Sequence, residues 1–246
     1  MKIREFLIII PARYSSSRFP GKPLAKIAGE SMLSTVWKQC VKASSKRNVI
    51  IATDDKRIKN HCESQDMQVI MTSKRCQTGT DRVIEVSKKV TCKFYINVQG
   101  DEPLINVKDI KKIINYSYKY PKYILNGIAE INDKKDFLNK NIPKAVINNL
   151  GDLMYMSRSP IPINKEGSFI SAFKQVCIYS FPRDTLRVKN MYNNKTSVED
   201  IEDIEILRFL EKGFKIKMIK LSDTSVAVDT PADLKRVKKI IARNYV

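Results

Sequence analysis

The loop at residues 11–24, PARYSSSRFPGKPL, follows directly on the apolar run 6–10 and carries three cations, a serine triplet and a glycine. Arginine offers forked donors to phosphate oxygens, and lysine offers a compact point charge. Backbone N–H groups in a bent loop can complete a nest for the same anion. The spacing is not that of a Walker loop, because Gly21-Lys22 runs into Pro23 and lacks the upstream glycine. A second polar cluster, Gln99-Gly100-Asp101-Glu102-Pro103, ends another apolar run. A carboxylate at a strand end opposite a phosphate loop is where a magnesium ligand belongs, since Mg²⁺ takes few protein carboxylates and shares its remaining positions with water and phosphate. The competing reading of Asp101 is a helix N-cap, and local rules read Asp229, just ahead of Thr230-Pro231, simply as a cap.

These loops need a frame that brings strand ends together. The run 6–10, stopped by Pro11, reads as a strand buried on both faces. Strands at 48–53, 67–72 and 93–98 then alternate with helices at 31–43, 56–65, 80–90 and 107–118. That alternation predicts a doubly wound, mostly parallel sheet with right-handed crossovers. Ligands in such sheets bind beyond the carboxyl ends of the strands. The middle of the chain reads as a hairpin, 145–147 and 153–156 around the turn 148–152, then a proline-braced loop at 157–162 and a strand at 174–181. A helix over 198–212, strands at 214–221 and 225–228, and a helix over 231–242 complete the pattern.

With 246 residues the chain can bury a substantial core, as one domain or a core plus a small lobe. A hydrophobic share of 43% against 29% charged residues excludes a disordered tail, a collagen-like repeat and a membrane bundle. The net charge of +19 raises the question of nucleic acid. The excess lysines are dispersed through 108–144, 212–220 and 235–239 with acids among them, and no long basic arm stands out. The charge reads as a lysine-rich surface around a site for an anionic small molecule, with no nucleic-acid partner. Cys40, Cys62, Cys76, Cys92 and Cys177 are too far apart for a disulfide framework or a zinc site, and free thiols fit a reducing cytoplasm. Five apolar residues near the N-terminus are too few for a signal-peptide core or a membrane span, so a cytoplasmic location without membrane insertion is expected. The sole histidine, His61, falls on a surface helix, and no histidine base is expected.

The motifs PARYSSSRFPGKPL, CQTGTDR (76–82), NVQGDEPLI (97–105), SRSPIP (157–162), IEDIEILRFLEKG (201–213) and VDTPADL (228–234), in that order, make the chain similar to the CMP-Kdo synthetases, the 3-deoxy-manno-octulosonate cytidylyltransferases. The resemblance spans nearly the whole chain. It implies a GT-A-like nucleotidyltransferase fold over 1–246, with a small β-rich lobe at about 143–185 that forms a homodimer. It implies that CTP and a 3-deoxy-ulosonic acid give a CMP-sugar and pyrophosphate with Mg²⁺, for lipopolysaccharide or capsule synthesis. Carried over to this sequence, Arg13, Ser16, Arg18 and Lys22 would hold the CTP phosphates, and Gln77, Thr78 and Gly79 would lie by the cytidine. Asp101 and Asp229 would bind magnesium, with Arg13 and Lys22 as their catalytic partners. Gln99, Arg158, Tyr179, Glu202 and Glu205 would face the sugar acid, and Gln175 stands at a position expected near it. A bidentate guanidinium at Arg158 suits a substrate carboxylate.

Two departures from the family pattern matter, the first for contacts around the nucleotide or the sugar and the second for a residue expected near the sugar. Ser73 and Cys76 stand where the family usually has Arg and His ahead of its Gln-Ser-Gly-Thr, and Gln175 stands where it usually has His. The transfer machinery is complete while the acceptor pocket is edited, so 8-amino-Kdo or another ulosonic or sialic-type acid is the alternative acceptor. A sugar-1-phosphate nucleotidyltransferase would show a glycine-rich first loop, which this chain lacks.

Overall fold

In the computed structural model, which describes residues 4–15, 18–188, 191–192 and 195–243, the apolar run behind the basic loop is strand β1 (Arg4–Ala12). Leu7 and Ile9 enter one hydrophobic core, and Ile8 and Ile10 enter another on the opposite face. Burial on both sides is why this run shows no polar alternation. A short ribbon, β2 (Lys26–Ile27) and β3 (Glu30–Ser31), leads into α1 (Met32–Ala43), whose cap is the Ser31 hydroxyl accepting from the Ser34 amide. Then β4 (Val49–Thr53), α2 (Lys56–Ser64), β5 (Val69–Met71), α3 (Gly79–Lys89), β6 (Cys92–Val98) and α4 (Val107–Lys119) alternate as the pattern predicts. The second half supplies β7 (Ile124–Ile131), α5 (Lys134–Leu138), the hairpin β8 (Lys144–Ile147) and β9 (Leu153–Ser157), and the long β10 (Ala172–Pro182). It closes with α6 (Ser197–Glu202), α7 (Leu207–Glu211), β11 (Ile216–Lys220) and α8 (Pro231–Arg243).

The main sheet runs β11-β7-β10-β6-β1-β4-β5, and the hairpin is attached through β8 to β10. Strands β6, β1, β4 and β5 are parallel neighbours, as are β7 and β11. Only β10 opposes both of its neighbours in the main path, β6 and β7. The sheet is therefore mostly parallel, and the hairpin is an antiparallel extension of it.

Three elements differ from expectation. Strand β7 is not announced by its sequence, because Asn126-Gly127 sits in its middle. The structure needs both residues there. A β-bulge in β10 between Val176 and Tyr179 leaves carbonyls without ladder partners, and the buried Asn126 amide donates to those of Val176 (3.1 Å) and Ile178 (3.0 Å). A Cβ at Gly127 would stand 2.5 Å from Leu221 Cδ1 and 3.0 Å from the Val176 carbonyl. The helix expected over 198–212 is broken, since Asp203 turns left-handed (φ 49°) between α6 and α7. The strand expected at 225–228 joins no sheet; its segment is held by individual bonds to the loop after β6, among them Val228 N–H to the Asp101 carbonyl at 2.9 Å.

The parallel ends of β1 and β6 lie so close that a Cβ on Gly100 would meet the Pro11 carbonyl oxygen at 2.8 Å. This backbone approach sets the basic loop beside the QGDEP loop. We expect Gly100→Ala to destabilise the fold by about 1–3 kcal/mol, the range for overpacking a tight site, and to lower turnover; equilibrium urea unfolding and an activity assay on one preparation check both.

Candidate active site

The basic loop and both acidic loops meet at one ammonium group. Lys22 Nζ donates to Asp101 Oδ2 at 2.7 Å and to Asp229 Oδ1 at 3.4 Å, and Arg18 Nη2 reaches Asp229 Oδ1 at 3.2 Å. Neither aspartate caps a helix. The α4 cap is Asn106, accepting from Lys108 N–H. At α8 the Thr230 hydroxyl accepts from Asp233 N–H, while the Asp233 carboxylate accepts from Thr230 N–H and Asp229 N–H. The capping work is done by neighbours, and both aspartates keep their carboxylates for the cavity. Asp229 arrives there because the chain after β11 is strapped to the QGDEP loop by the Val228–Asp101 bond and by the Ser225 hydroxyl on the Glu102 carboxylate. Burial, with the charge of Asp101 adding to it, pushes the Glu102 carboxyl up to about 7.

The turn at 77–79 forms the start of α3, and carboxylates of this chain hold its amides. Thr78 and Asp81 make a capping box, with Asp81 Oδ2 accepting from Gln77 and Thr78 N–H at 3.0 Å each. Glu205 accepts from Gly79 N–H (3.1 Å), Thr80 N–H (2.7 Å) and the Thr80 hydroxyl (2.5 Å). A helix start concentrates unpaired N–H groups and positive partial charge, which suits both carboxylates. Behind them lies Arg208, fully buried, bonded to Asp81 (2.7 Å), to both oxygens of Glu199 (2.8 Å each) and to the Met191 carbonyl (2.7 Å). Burial opposes its charge, but the two carboxylates prevail and hold the guanidinium well above its usual range. This anchor is what interrupts the expected long helix: α6 and α7 are placed by Arg208 and Glu205 against α3, and Asp203 makes the bend.

Strand β10 contributes Gln175, Cys177 and Tyr179, alternate residues on the cavity side. Asn126 spends its N–H groups on two carbonyls, so its oxygen faces Gln175 and takes the Gln175 amide N–H at 2.9 Å. Gln175 therefore turns its carbonyl oxygen to the remaining side. Tyr179 is buried, and that burial holds its hydroxyl well above the usual phenol range. Glu202 is not on the cavity wall; its oxygens take the Ser157 hydroxyl (2.5 Å), the Arg158 N–H (2.9 Å) and the Tyr155 hydroxyl (3.3 Å). Burial works against the Glu202 charge, but these bonds, the Arg158 amide foremost, hold its carboxyl below the usual range. Arg158 does line the cavity, with Nε on the Glu202 carbonyl (2.6 Å), Nη2 on the Asp203 carbonyl (2.9 Å) and Nη1 on the Lys140 carbonyl (3.1 Å).

The three loops, the 77–79 turn, β10 and Arg158 surround one cavity of about 790 Å³. Its wall includes Arg13, Arg18, Lys22, Gln77, Thr78, Gly79, Gln99, Asp101, Arg158, Gln175, Tyr179, Glu205 and Asp229. Ser16 lies outside the described residues. The wall also holds Arg82, Glu102, Cys177, Lys140, Asn141 and Asp203, to which the sequence reading gives no role. Arg82 and Glu102 stand within the quoted motifs, which is the signal that could have found them. Lys140 and Asn141 sit in a stretch with no motif at all.

A family profile described as Cytidylyltransferase matches residues 7–218. The chain is 39% identical to the 3-deoxy-manno-octulosonate cytidylyltransferase of Fusobacterium nucleatum, over 98% of this chain and 99% of that one. It is 34% identical to the enzyme of that name from Escherichia coli, over 96% of each. A solved structure of CMP:2-keto-3-deoxy-manno-octonic acid synthetase complexed with CTP superposes with a TM-score of 0.91 at 34% identity, covering 98% of this chain and 99% of that one. The chain belongs to the 3-deoxy-manno-octulosonate cytidylyltransferase family. The same fold extends to a putative glucose-1-phosphate thymidylyltransferase from Bacillus anthracis, at 14% identity and a TM-score of 0.71. The mostly parallel α/β architecture expected from the family motifs is thus the one observed.

Within this family site, Arg208 carries two buried carboxylates at once. Removing it takes the buried cation from both and leaves them their backbone N–H donors, so Arg208→Met is expected to destabilise the protein by roughly 3–5 kcal/mol, the cost of breaking a buried pair from one side. Denaturant unfolding measures this, and a change under about 1 kcal/mol would mean that the network is as loosely held as a surface ion pair.

Proposed function

We propose that this protein joins CMP from CTP to the anomeric hydroxyl of 3-deoxy-manno-octulosonate, releasing pyrophosphate. The observation that carries the reading is the meeting of Arg18, Lys22, Asp101 and Asp229 in the same cavity as the 77–79 turn and Arg158. The anomeric oxygen attacks the α-phosphorus in line. An O–P bond to the sugar forms, the α–β phosphoanhydride bond breaks, and the hydroxyl proton is lost. Transfers of this kind depend on positioning and on charge stabilisation. Arg13, Arg18 and Lys22 bind the phosphates, and Arg13 and Lys22 stabilise the charge that grows on them. Gln77, Thr78 and Gly79 face the cytidine, while Gln99, Gln175 and Tyr179 orient the sugar acid.

Asp101 and Asp229 suit a divalent cation. Their hard oxygens converge on one point, which Lys22 Nζ now bridges, and both side chains are about a third exposed (31% and 37%). They would hold Mg²⁺, which when bound neutralises phosphate charge and orients the reacting oxygens. A related acid, such as 8-amino-Kdo, is the second acceptor reading. It is favoured by Gln175, whose carbonyl oxygen, an acceptor already met by the Cys177 thiol at 4.0 Å, stands where the family usually offers an imidazole.

The product would serve lipopolysaccharide or capsule assembly from the cytoplasm. Among the described residues no helix is long and apolar enough to cross a membrane. A homodimer through the β8–β9 hairpin is supported by the apolar residues exposed there, Leu150 at 76% and Met154 at 59%.

The test is pyrophosphate release from CTP and Mg²⁺ with Kdo, 8-amino-Kdo and N-acetylneuraminate supplied separately. Fast release with Kdo is expected; silence with Kdo and turnover with another acid would shift the reading to that acid. Asp101→Ala should lower turnover at least about 100-fold, the scale for losing one electrostatic contact to the transition state, with the circular dichroism unchanged. Near-normal activity in that folded variant would overturn the metal assignment. For the dimer, sedimentation equilibrium should show two chains in the native protein and one in Leu150→Lys/Met154→Lys.

A further inference from the structure

Lys144 is fully buried, and no described carboxylate pairs with it. A buried ammonium is costly unless each N–H finds an acceptor. Here the three acceptors are all backbone carbonyls: Asn139 at 3.1 Å, Ile142 at 2.7 Å, and Arg158. Burial, with the nearby Arg158 charge adding to it, lowers the Lys144 pKa. The site therefore keeps a cation at an energetic disadvantage, and the reason lies in what those carbonyls belong to. Asn139 and Ile142 bracket Lys140 and Asn141, which line the cavity, and the third carbonyl is that of Arg158, which also lines it.

Arg158 completes the arrangement, since its guanidinium holds the carbonyls of Lys140, Glu202 and Asp203. Two cations thus gather six carbonyls from three loops: 139–142, 158, and 202–203. Gln175 N–H adds a bond to the Pro143 carbonyl at 3.0 Å. The three bonds of Lys144 itself touch none of the basic loop, Asp101, Asp229 or the 77–79 turn, whereas the 202–203 carbonyls held by Arg158 stand just ahead of Glu205, which anchors that turn.

We propose that Lys144 is a positioning residue for the sugar-acid acceptor: with Arg158 it braces the loop 139–143 and the Arg158 backbone into one wall, through bonds of its own that touch no residue assigned to the nucleotide. The inference rests on the acceptor reading above and identifies which buried group shapes that subsite. Lys144→Met, which keeps length and loses the three donors, should raise the KM for the sugar acid and lower kcat/KM for it about 100-fold, the scale of a misplaced substrate. The Kd for CTP, measured by calorimetry, should stay within about twofold, because uniform nucleotide binding is untouched. Lys144→Gln, which restores two donors, should recover part of the loss. Equal losses in CTP and sugar-acid affinity would mean a merely structural lysine, and unchanged kinetics would likewise overturn the brace. A wild-type protein silent with every acid would instead defeat the acceptor reading. Should both variants fail to fold, hydrogen exchange on the wild type decides. Sugar acid should slow the amides of 139–142 and 158–159 while CTP alone does not, and no acceptor-dependent protection would overturn the proposal.

Discussion

Two carboxylate charges brought within a few ångströms repel, and a cation between them offsets that repulsion. Lys22 supplies that cation to Asp101 and Asp229, which lie 79 and 207 residues from it in sequence. Much of the fold can be understood as what is needed to bring those three residues to one point. Parallel pairing of β1 with β6 sets the ends of the two strands side by side. The tight approach of Gly100 to Pro11 removes any side chain that would separate them. The chain after β11 then crosses to the same point as an extended strap, held by Val228 and Ser225 instead of by a sheet. An ammonium in that position also holds the two carboxylates convergent, the arrangement in which they can accept a harder cation in its place.

A second set of charges does the opposite kind of work. Around α3 the carboxylates of Asp81, Glu199 and Glu205 are consumed by N–H groups and by Arg208. Their bonds are short, mostly buried and fully partnered, so they fix geometry and leave little to offer a ligand. The contrast separates the two kinds of acidic residue in this chain. Asp101 and Asp229 face one long, movable lysine and are partly exposed, whereas Asp81 and Glu199 are buried against a rigid guanidinium fork.

The parallel half of the molecule was legible because its strands are buried on both faces and its helices are amphipathic, so periodicity carries the assignment. The hairpin was legible from Asn148 to Asp152, where turn chemistry is local. What was not legible depends on distant partners. The pattern ILNGIAEI hides β7, since Asn126 and Gly127 answer to a bulge in β10 and to Leu221, which no local rule can see. The expected helix over 198–212 is bent at Asp203, with Arg208 and Glu205 reaching to α3, so that Ile204 is buried outside any helix while Ile201 is exposed. Most of the expected residues that line the cavity stand in the quoted motifs, and Gln175 and Tyr179 reach it from β10 outside them. Glu202 was placed at the sugar, but it holds the Arg158 backbone from behind.

The family departures have a physical logic of their own. Cys76 donates its thiol to Glu85 at 3.2 Å, and Tyr192 donates its hydroxyl to the same oxygen at 3.2 Å, with Ser73 N–H at 2.8 Å as a third donor. Burial pushes the Cys76 thiol up to about 11, so at neutral pH it remains a neutral donor. Burial works against the Glu85 charge, yet the Ser73 amide, the Cys76 thiol and the other donors hold its carboxyl below the usual range. Where the family usually places an imidazole beside this turn, the chain thus keeps a closed, fully satisfied ring of small groups. Gln175 repeats the pattern, fastened to Asn126 and unable to titrate. Neither Cys76 nor Gln175 gains or loses a proton near neutrality, as an imidazole would. Neither position touches the meeting of Arg18 and Lys22 with Asp101 and Asp229, whose bonds are made elsewhere on the cavity wall.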